Sequence, residues 1–270
     1  MDKKTVGIIG CGAIGTALAE YAEKEMSSKI DKIALWDTDA GKADVLAKKL
    51  QGVEVASGME ELVNSSDLVI EAASPFAVPE VFKAVLGQKK DIIVMSIGGL
   101  LGNEHLLEAA REKGVRVILP SGAISGIDAL NASKVSGLES VTITTRKAPR
   151  SVKGAPYLDE KGIDVDSIKE ETVIFEGNAF EAIKGFPKNV NVSALLSIAG
   201  MGGEKTRVRI IVSPEYTKNS HEVEIVSKAG RVLTRTENVP SPTNPKTSYL
   251  AALAGITSLR DYFDTVRIGT

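Results

Sequence analysis

Gly10-Cys11-Gly12-Ala13-Ile14-Gly15 follows the apolar run Val6-Gly7-Ile8-Ile9 and opens a stretch of helical character, Ile14 to about Met26. A second apolar run, Ile33-Ala34-Leu35-Trp36, is closed by Asp37, 22 residues after Gly15. A G-x-G-x-x-G hexapeptide alone is a weak pattern. Set between a strand and a helix, with an acid at this distance, it reads as a dinucleotide fingerprint. Gly10 suits a tight turn, Gly12 lets the backbone approach a pyrophosphate, and Gly15 lets helix and strand pack closely. The turn residues Ala13 and Ile14 begin the helix, whose N–H groups and dipole favour phosphate. Asp37 can accept both ribose hydroxyls of an adenosine and would repel a 2′-phosphate. NAD is therefore the expected cofactor, with NADP second.

Around this motif the first 120 residues alternate strand and helix. The spacing predicts strands at Thr5–Ile9, Lys32–Trp36, Leu68–Glu71, Ile92–Ser96 and Arg116–Leu119, and a short one at Val53–Ala56. Helices are expected at Ala40–Leu50, Pro75–Leu86 and Asn103–Lys113. Apolar strands separated by helices imply a Rossmann-type parallel sheet buried on both faces, with ligands beyond the carboxyl ends of its strands. Those ends are rich in small residues: Gly10, Ala72-Ala73-Ser74, Ile97-Gly98-Gly99 and Pro120-Ser121-Gly122-Ala123. Ala73 is a candidate cofactor contact on that ground.

Beyond Ser121 the pattern changes. A helix is expected over Ser121–Ser133, then strands at Val141–Arg146, Glu171–Phe175, Lys205–Ser213, Ser220–Ala229 and Arg231–Val239, with helices at Asn178–Lys184 and Val190–Ala199. This reads as a mixed α/β domain with helices on one face, and Ala229-Gly230 as its hairpin turn. The breaker-rich Ser241-Pro242-Thr243-Asn244-Pro245 leads into a final helix, Lys246 to about Phe263, expected to return to the first domain. The expected organisation is a dinucleotide-binding domain from 1–122 and 243–270, and a catalytic α/β domain from 123–242.

Composition narrows the partners. A formal net charge of −2 gives no reason to expect nucleic acid or an anionic membrane. No apolar run is long enough to span a bilayer, and Met1-Asp2-Lys3-Lys4 running straight into a strand leaves no expected signal peptide. The single cysteine, Cys11, reads as a small filler in the turn and fits a reducing cytoplasm. Without a Cys/His cluster, no metal is expected.

Of the two histidines, His105 stands at an apparent surface helix start. His221 shares a strand face with Val223 and Ile225, opposite Ser220, Glu222 and Glu224. That position suits either a satisfied core histidine or a proton carrier for hydride chemistry. In Phe186-Pro187-Lys188-Asn189-Val190-Asn191, Asn189 can cap the following helix, and a second asparagine leaves open a site role for one of the pair. In Asn244-Pro245-Lys246-Thr247-Ser248, Lys246 opposes the helix dipole unless an anion sits there; an exposed lysine beside capping hydroxyls is the other reading.

Together these segments, with Ser121-Gly122-Ala123-Ile124, Asp128-Ala129-Leu130 and Asn219-Ser220-His221-Glu222, resemble the L-aspartate dehydrogenase family nearly end to end. Lys188 stands where a glutamine is common in that family. The resemblance implies NAD- or NADP-dependent oxidation of L-aspartate to iminosuccinate, which hydrolyses to oxaloacetate and ammonia, and a supply role in nicotinamide biosynthesis. It implies a homodimer, a catalytic histidine at His221, and cofactor contacts at Ala123 and Asn191. The substrate would lie between the domains. Its carboxylates need cations or hydroxyl and amide donors. Lys246, Arg207 and Lys188 are the cation candidates, with Ser121, Asn189 and Thr247 as polar partners. Competing readings are a related imine or carbonyl reductase, whose histidine-rich signature two histidines do not supply, and an NAD-binding sensor without chemistry.

Overall fold

The structure is a computed structural model, and it describes residues 3–187, 191–242 and 247–269. The chain divides into two compact units. The first is Met1–Gly122 with Ser241–Thr247 and Ala251–Arg267; the second is Ala123–Pro240 with Ser248–Leu250 and Ile268–Thr270.

The first unit is built from β1 (Lys4–Ile9), α1 (Ala13–Glu25), β2 (Ile30–Trp36), α2 (Ala40–Ala47), β3 (Val53–Val55), α3 (Met59–Ser65), β4 (Leu68–Glu71), α4 (Val78–Gln88), β5 (Asp91–Val94), α5 (His105–Lys113) and β6 (Val117–Ile118). Its strands pair in parallel in the order β3-β2-β1-β4-β5-β6. The order reverses between β1 and β4, which opens a ligand crevice at their carboxyl ends. β4 is buried along its whole length, so it reads as a run without alternation. One face of the sheet carries a cluster of Val6, Ile8, Leu18, Leu35, Ile70 and Met95, joined by Leu259 from the last helix. Two elements were not expected from the sequence: α3, and a 3-10 turn over Ile97–Leu100. Gly99 in that turn is packed, not open, because a Cβ there would lie 2.2 Å from the Pro75 carbonyl oxygen.

The second unit comprises α6 (Ile127–Ser136), β7 (Leu138–Lys147), α7 (Pro156–Lys161), β8 (Thr172–Asn178), α8 (Ala179–Gly185), α9 (Asn191–Ala199), β9 (Thr206–Val212), β10 (Asn219–Ser227) and β11 (Gly230–Asn238). These strands form a mixed sheet ordered β11-β10-β7-β9-β8, in which only β7 and β9 are parallel. The helix expected from Ser121 starts six residues later. Gly122 and Gly126 hold φ of +64° and +90°, a left-handed backbone that cannot continue a helix. Asn178 caps α8 in a reciprocal capping box with Glu181. The hairpin between β10 and β11 turns on Lys228-Ala229, with Gly230 already paired to Ser227. The last helix, α10, runs Tyr249–Tyr262. Its expected start at Lys246 lies outside the described residues, and Ser248 is instead bridged to Pro240.

Candidate functional site

The fingerprint turn is shaped by its glycines in different ways. Gly10 has φ +98°, and a Cβ there would fall 2.6 Å from the Ala72 backbone, so the end of β1 lies directly against the chain leaving β4. Ala73 sits in that segment and donates its N–H to Glu71 at 2.9 Å. A Cβ on Gly15 would lie 1.9 Å from the Gly10 carbonyl oxygen, closing α1 onto the turn. At Gly12 a Cβ would meet nothing within 4 Å. Space is thus open at the N-terminus of α1, where no side chain caps and no acid occupies the first turn. Ala13 and Ile14 are the first residues of that helix. An anionic pyrophosphate fits this cradle.

Asp37 follows β2 and ties the turn down. Its carboxylate accepts the Cys11 N–H at 2.7 Å and the Asp39 N–H at 2.9 Å. Each carboxylate oxygen keeps acceptor capacity for ribose hydroxyls. Cys11 is 7% exposed, and burial, then the Asp37 charge, push its thiol up to about 12, so it stays protonated. Glu71 was not singled out from the sequence. It is fully buried at the end of β4, accepts N–H groups from Ala73 and Ser96, and is pushed up by that burial. An acid closing an apolar strand, as Asp37 closes Ile33–Trp36, was the available signal.

In the second unit, His221 stands on β10 opposite Thr145 of β7, with its Nδ1 2.9 Å from the Thr145 hydroxyl. It is 7% exposed. Burial first, and the charge of Lys147 second, push the imidazole down from 6.5 to about 3, so the ring is neutral at physiological pH. In an unfolded chain the ring would take up a proton below about 6.5 that the folded one refuses. Stability is therefore expected to fall as pH drops from about 6.5 towards about 3. Urea midpoints measured across that window check this, and H221Q should lose this part of the slope.

Along β7, Val141, Ile143, Thr145 and Lys147 share the face of His221, and all four are buried. Thr142, Thr144 and Arg146 take the other face. Arg207 pairs with Thr142, so it belongs to that opposite face, with Arg209 and Glu222. This removes Arg207 as a cation serving the same substrate as His221: one step along a strand reverses the face. Neither Thr145 nor Lys147 was anticipated, although a lysine continuing an apolar alternation was visible.

The remaining candidates are placed as follows. Ala123 is buried, and its carbonyl accepts from Thr236 Oγ1 at 2.9 Å and Asn238 Nδ2 at 3.0 Å. Ser121 is half-buried after β6. Asn191 is the first residue of α9. The Thr247 carbonyl accepts the Ser241 N–H at 2.8 Å. Lys188, Asn189 and Lys246 lie outside the described residues. His105 is exposed at the start of α5. Among the described residues no group of three or more His, Cys, Asp or Glu is gathered as for a metal ion, and no helix is long and apolar enough to cross a membrane.

Two family models match different parts of the chain. Residues 10–120 match the family model described as homoserine dehydrogenase, NAD binding domain. Residues 128–262, which carry His221, match that described as aspartate dehydrogenase, C-terminal. L-aspartate dehydrogenase of Methanococcoides burtonii is 43% identical over 98% of this chain and 99% of its own. That of Nitrosopumilus maritimus is 40% identical over 99% of this chain and 100% of its own. The crystal structure of aspartate dehydrogenase from Thermotoga maritima superposes with a TM-score of 0.77, at 29% identity, covering 99% of this chain and 100% of that one. A homoserine dehydrogenase from Thiobacillus denitrificans, TM-score 0.61 at 15% identity, shares the fold alone. With a dinucleotide fingerprint in one unit, a buried neutral histidine in the other, and relatives matching both end to end, the chain belongs to the L-aspartate dehydrogenase family.

Proposed function

We propose that this protein oxidises L-aspartate to iminosuccinate with NAD, and that His221 manages the proton. The observation that carries this reading is the buried, neutral His221 within the segment that matches the aspartate dehydrogenase C-terminal family. Gly10, Gly12, Ala13, Ile14 and Gly15 would hold the pyrophosphate, Asp37 the adenosine ribose, and Ala73, Ala123 and Asn191 would add contacts. When bound, the nicotinamide supplies a hydride acceptor.

The rest of the chemistry falls to the chain. L-Aspartate arrives with a protonated amine, and no hydride can leave Cα until that nitrogen regains its lone pair. His221 accepts the proton at Nε2 while Nδ1–H donates to the Thr145 hydroxyl oxygen, which fixes the ring. As the hydride departs, the lone pair closes the C=N bond. Once it has released that proton to solvent, the same imidazole can deprotonate the water that hydrolyses the imine to oxaloacetate and ammonia. Ser121 and Thr247 would supply hydrogen bonds to the substrate, and Asn189 and Lys246 are further substrate-binding candidates on the sequence alone.

Absorbance at the reduced-nicotinamide band tests the reaction, with L-aspartate compared against L-alanine, L-glutamate and D-aspartate. A rise with L-aspartate alone is expected. No rise with any amino acid, and no fall with oxaloacetate, ammonia and NADH, would leave a nucleotide-binding protein without this activity. Asp37→Ser should lower the NAD-to-NADP ratio of kcat/KM at least about tenfold, because it removes two acceptors for ribose hydroxyls and a charge facing a 2′-phosphate. An unchanged ratio would remove Asp37 from the ribose site.

A further inference from the structure

Glu71 is the charged residue of β4, a strand buried along its whole length, and it is itself 0% exposed. Burial pushes its carboxyl up, and hydrogen bonds pull against that. They come from the Ala73 N–H at 2.9 Å, the Ser96 N–H at 2.9 Å, the Ser96 hydroxyl and the Ser74 N–H. Among the described residues, no cation is one of the groups that act on it. A carboxylate is costly to bury without a counter-charge, so packing does not account for its place here. What an ionised carboxylate offers is acceptors only, enough to take donors from more than one stretch of chain at once.

Those donors belong to two different connections. Ala73 and Ser74 lead away from β4, and Ser96 leads away from β5. The ladder joins the two strands as far as Glu71 and Val94, and the Met95 N–H still reaches the Glu71 carbonyl at 2.8 Å. Past that point the Glu71 carboxylate stitches the two chains together. They also pack on one another, since a Cβ on Gly99 would lie 2.2 Å from the Pro75 carbonyl oxygen. Ala72 is held from the other side. Its N–H donates to the Ile9 carbonyl at 2.8 Å, and its backbone abuts Gly10. The fingerprint turn is thus braced without the Glu71 carboxylate, whereas the stretch from Ala73 onward and Ser96 are not.

Strand order says which part of a dinucleotide meets these connections. Asp37 follows β2, on one side of β1, and β4 and β5 lie on the other side. A dinucleotide with its adenosine ribose at Asp37 and its pyrophosphate over Gly12 runs across the end of β1. Its other half then lies towards the ends of β4 and β5. We propose that Glu71 is a positioning residue for the nicotinamide half of the cofactor, acting through the backbone of Ala73, Ser74 and Ser96, which it locks into one wall. The inference rests on the cofactor placement given under the proposed function.

The test uses the full-length protein with two probes, NADH and ADP, the second carrying the adenosine and the pyrophosphate without the nicotinamide. Glu71→Gln keeps the length of the side chain but turns an amide N–H2 towards backbone donors, so it can hold one connection and not both. In calorimetric titrations E71Q should weaken NADH about tenfold, the loss of one hydrogen bond to a charged group. ADP should stay within about twofold, as for a site that shares no partner with the substitution. Failure of the wild type to bind either probe would overturn the cofactor placement itself. A wild type that binds both, with NADH unweakened in E71Q, would overturn the role of Glu71 alone. So would equal weakening of NADH and ADP, which would make Glu71 a general support of the sheet. Hydrogen exchange in the wild type covers the case in which E71Q fails to fold. Saturating NADH should slow exchange over 73–77 and 96–100 at least about threefold more than saturating ADP does, because only NADH reaches that wall. Equal slowing by the two would overturn the proposal.

Discussion

His221→Ala is expected to lower kcat for L-aspartate oxidation by about 10²–10⁴-fold, the usual span for removing a positioned acid–base group, while the Kd for NADH stays within twofold. The substituted side chain hydrogen-bonds Thr145 in the second unit, whereas the fingerprint turn is held by Asp37, Gly10 and the Ala72 backbone in the first. Loss of rate with cofactor affinity retained is thus the signature of a proton carrier. The substitution strands the Thr145 hydroxyl, which costs about 1–3 kcal/mol for a buried polar group. His221→Gln keeps a polar atom near that hydroxyl and separates folding from catalysis: it should be nearly as slow but more stable. Turnover within tenfold of wild type in both variants would assign His221 to the core and leave the proton to another group.

The first unit was legible because its signals are local. Val6–Ile9, Ile33–Trp36 and Leu68–Glu71 are apolar without alternation, as strands covered on both faces must be, and glycines and acids mark their carboxyl ends. α3 escaped notice because seven residues with two buried positions, Leu62 and Val63, hold too little periodicity. α7, of six residues, escaped for the same reason. The overlong reading of α6 came from treating Ser121–Ser133 as a small-residue helix when two of its glycines adopt positive φ.

The second unit hid more, and its site hid most. His221 could be found because it is one of two histidines and sits on an apolar strand face. Its neighbours could not, because Thr145 and Lys147 are 76 and 74 positions away and meet it only through the register of β7 with β10. The same dependence misled the reading of Arg207. A basic residue in a β-strand can serve either face, and which one it serves is fixed by pairing partners distant in sequence. The resemblance to a family located His221 and left the register unread.

The two glycines that flank the start of α1 should respond oppositely to the same added methyl group, and that contrast gives the sharpest test of the cofactor cradle. At Gly15 a Cβ would lie 1.9 Å from the Gly10 carbonyl oxygen and about 3.4 Å from the Ile8 side chain. The obstacle is backbone, so α1 must move off β1, against a core in which Ile8 and Leu18 are fully buried. Gly15→Ala is expected to lower stability by at least about 3 kcal/mol, at the upper end for overpacking, and to abolish NADH binding with it. At Gly12 the added Cβ meets no protein atom within 4 Å. Gly12→Ala should therefore leave the melting temperature of the free protein within about 2 °C, a surface-scale effect, and still weaken NADH at least about tenfold. The methyl group would occupy the space through which the backbone approaches the pyrophosphate. Thermal melting with and without NADH, together with a fluorescence titration of NADH, separates the two cases. Full-strength NADH binding by a stable Gly12→Ala protein would mean that the dinucleotide does not pass over this turn, and the assignment of Gly10 to Gly15 as its cradle would fall.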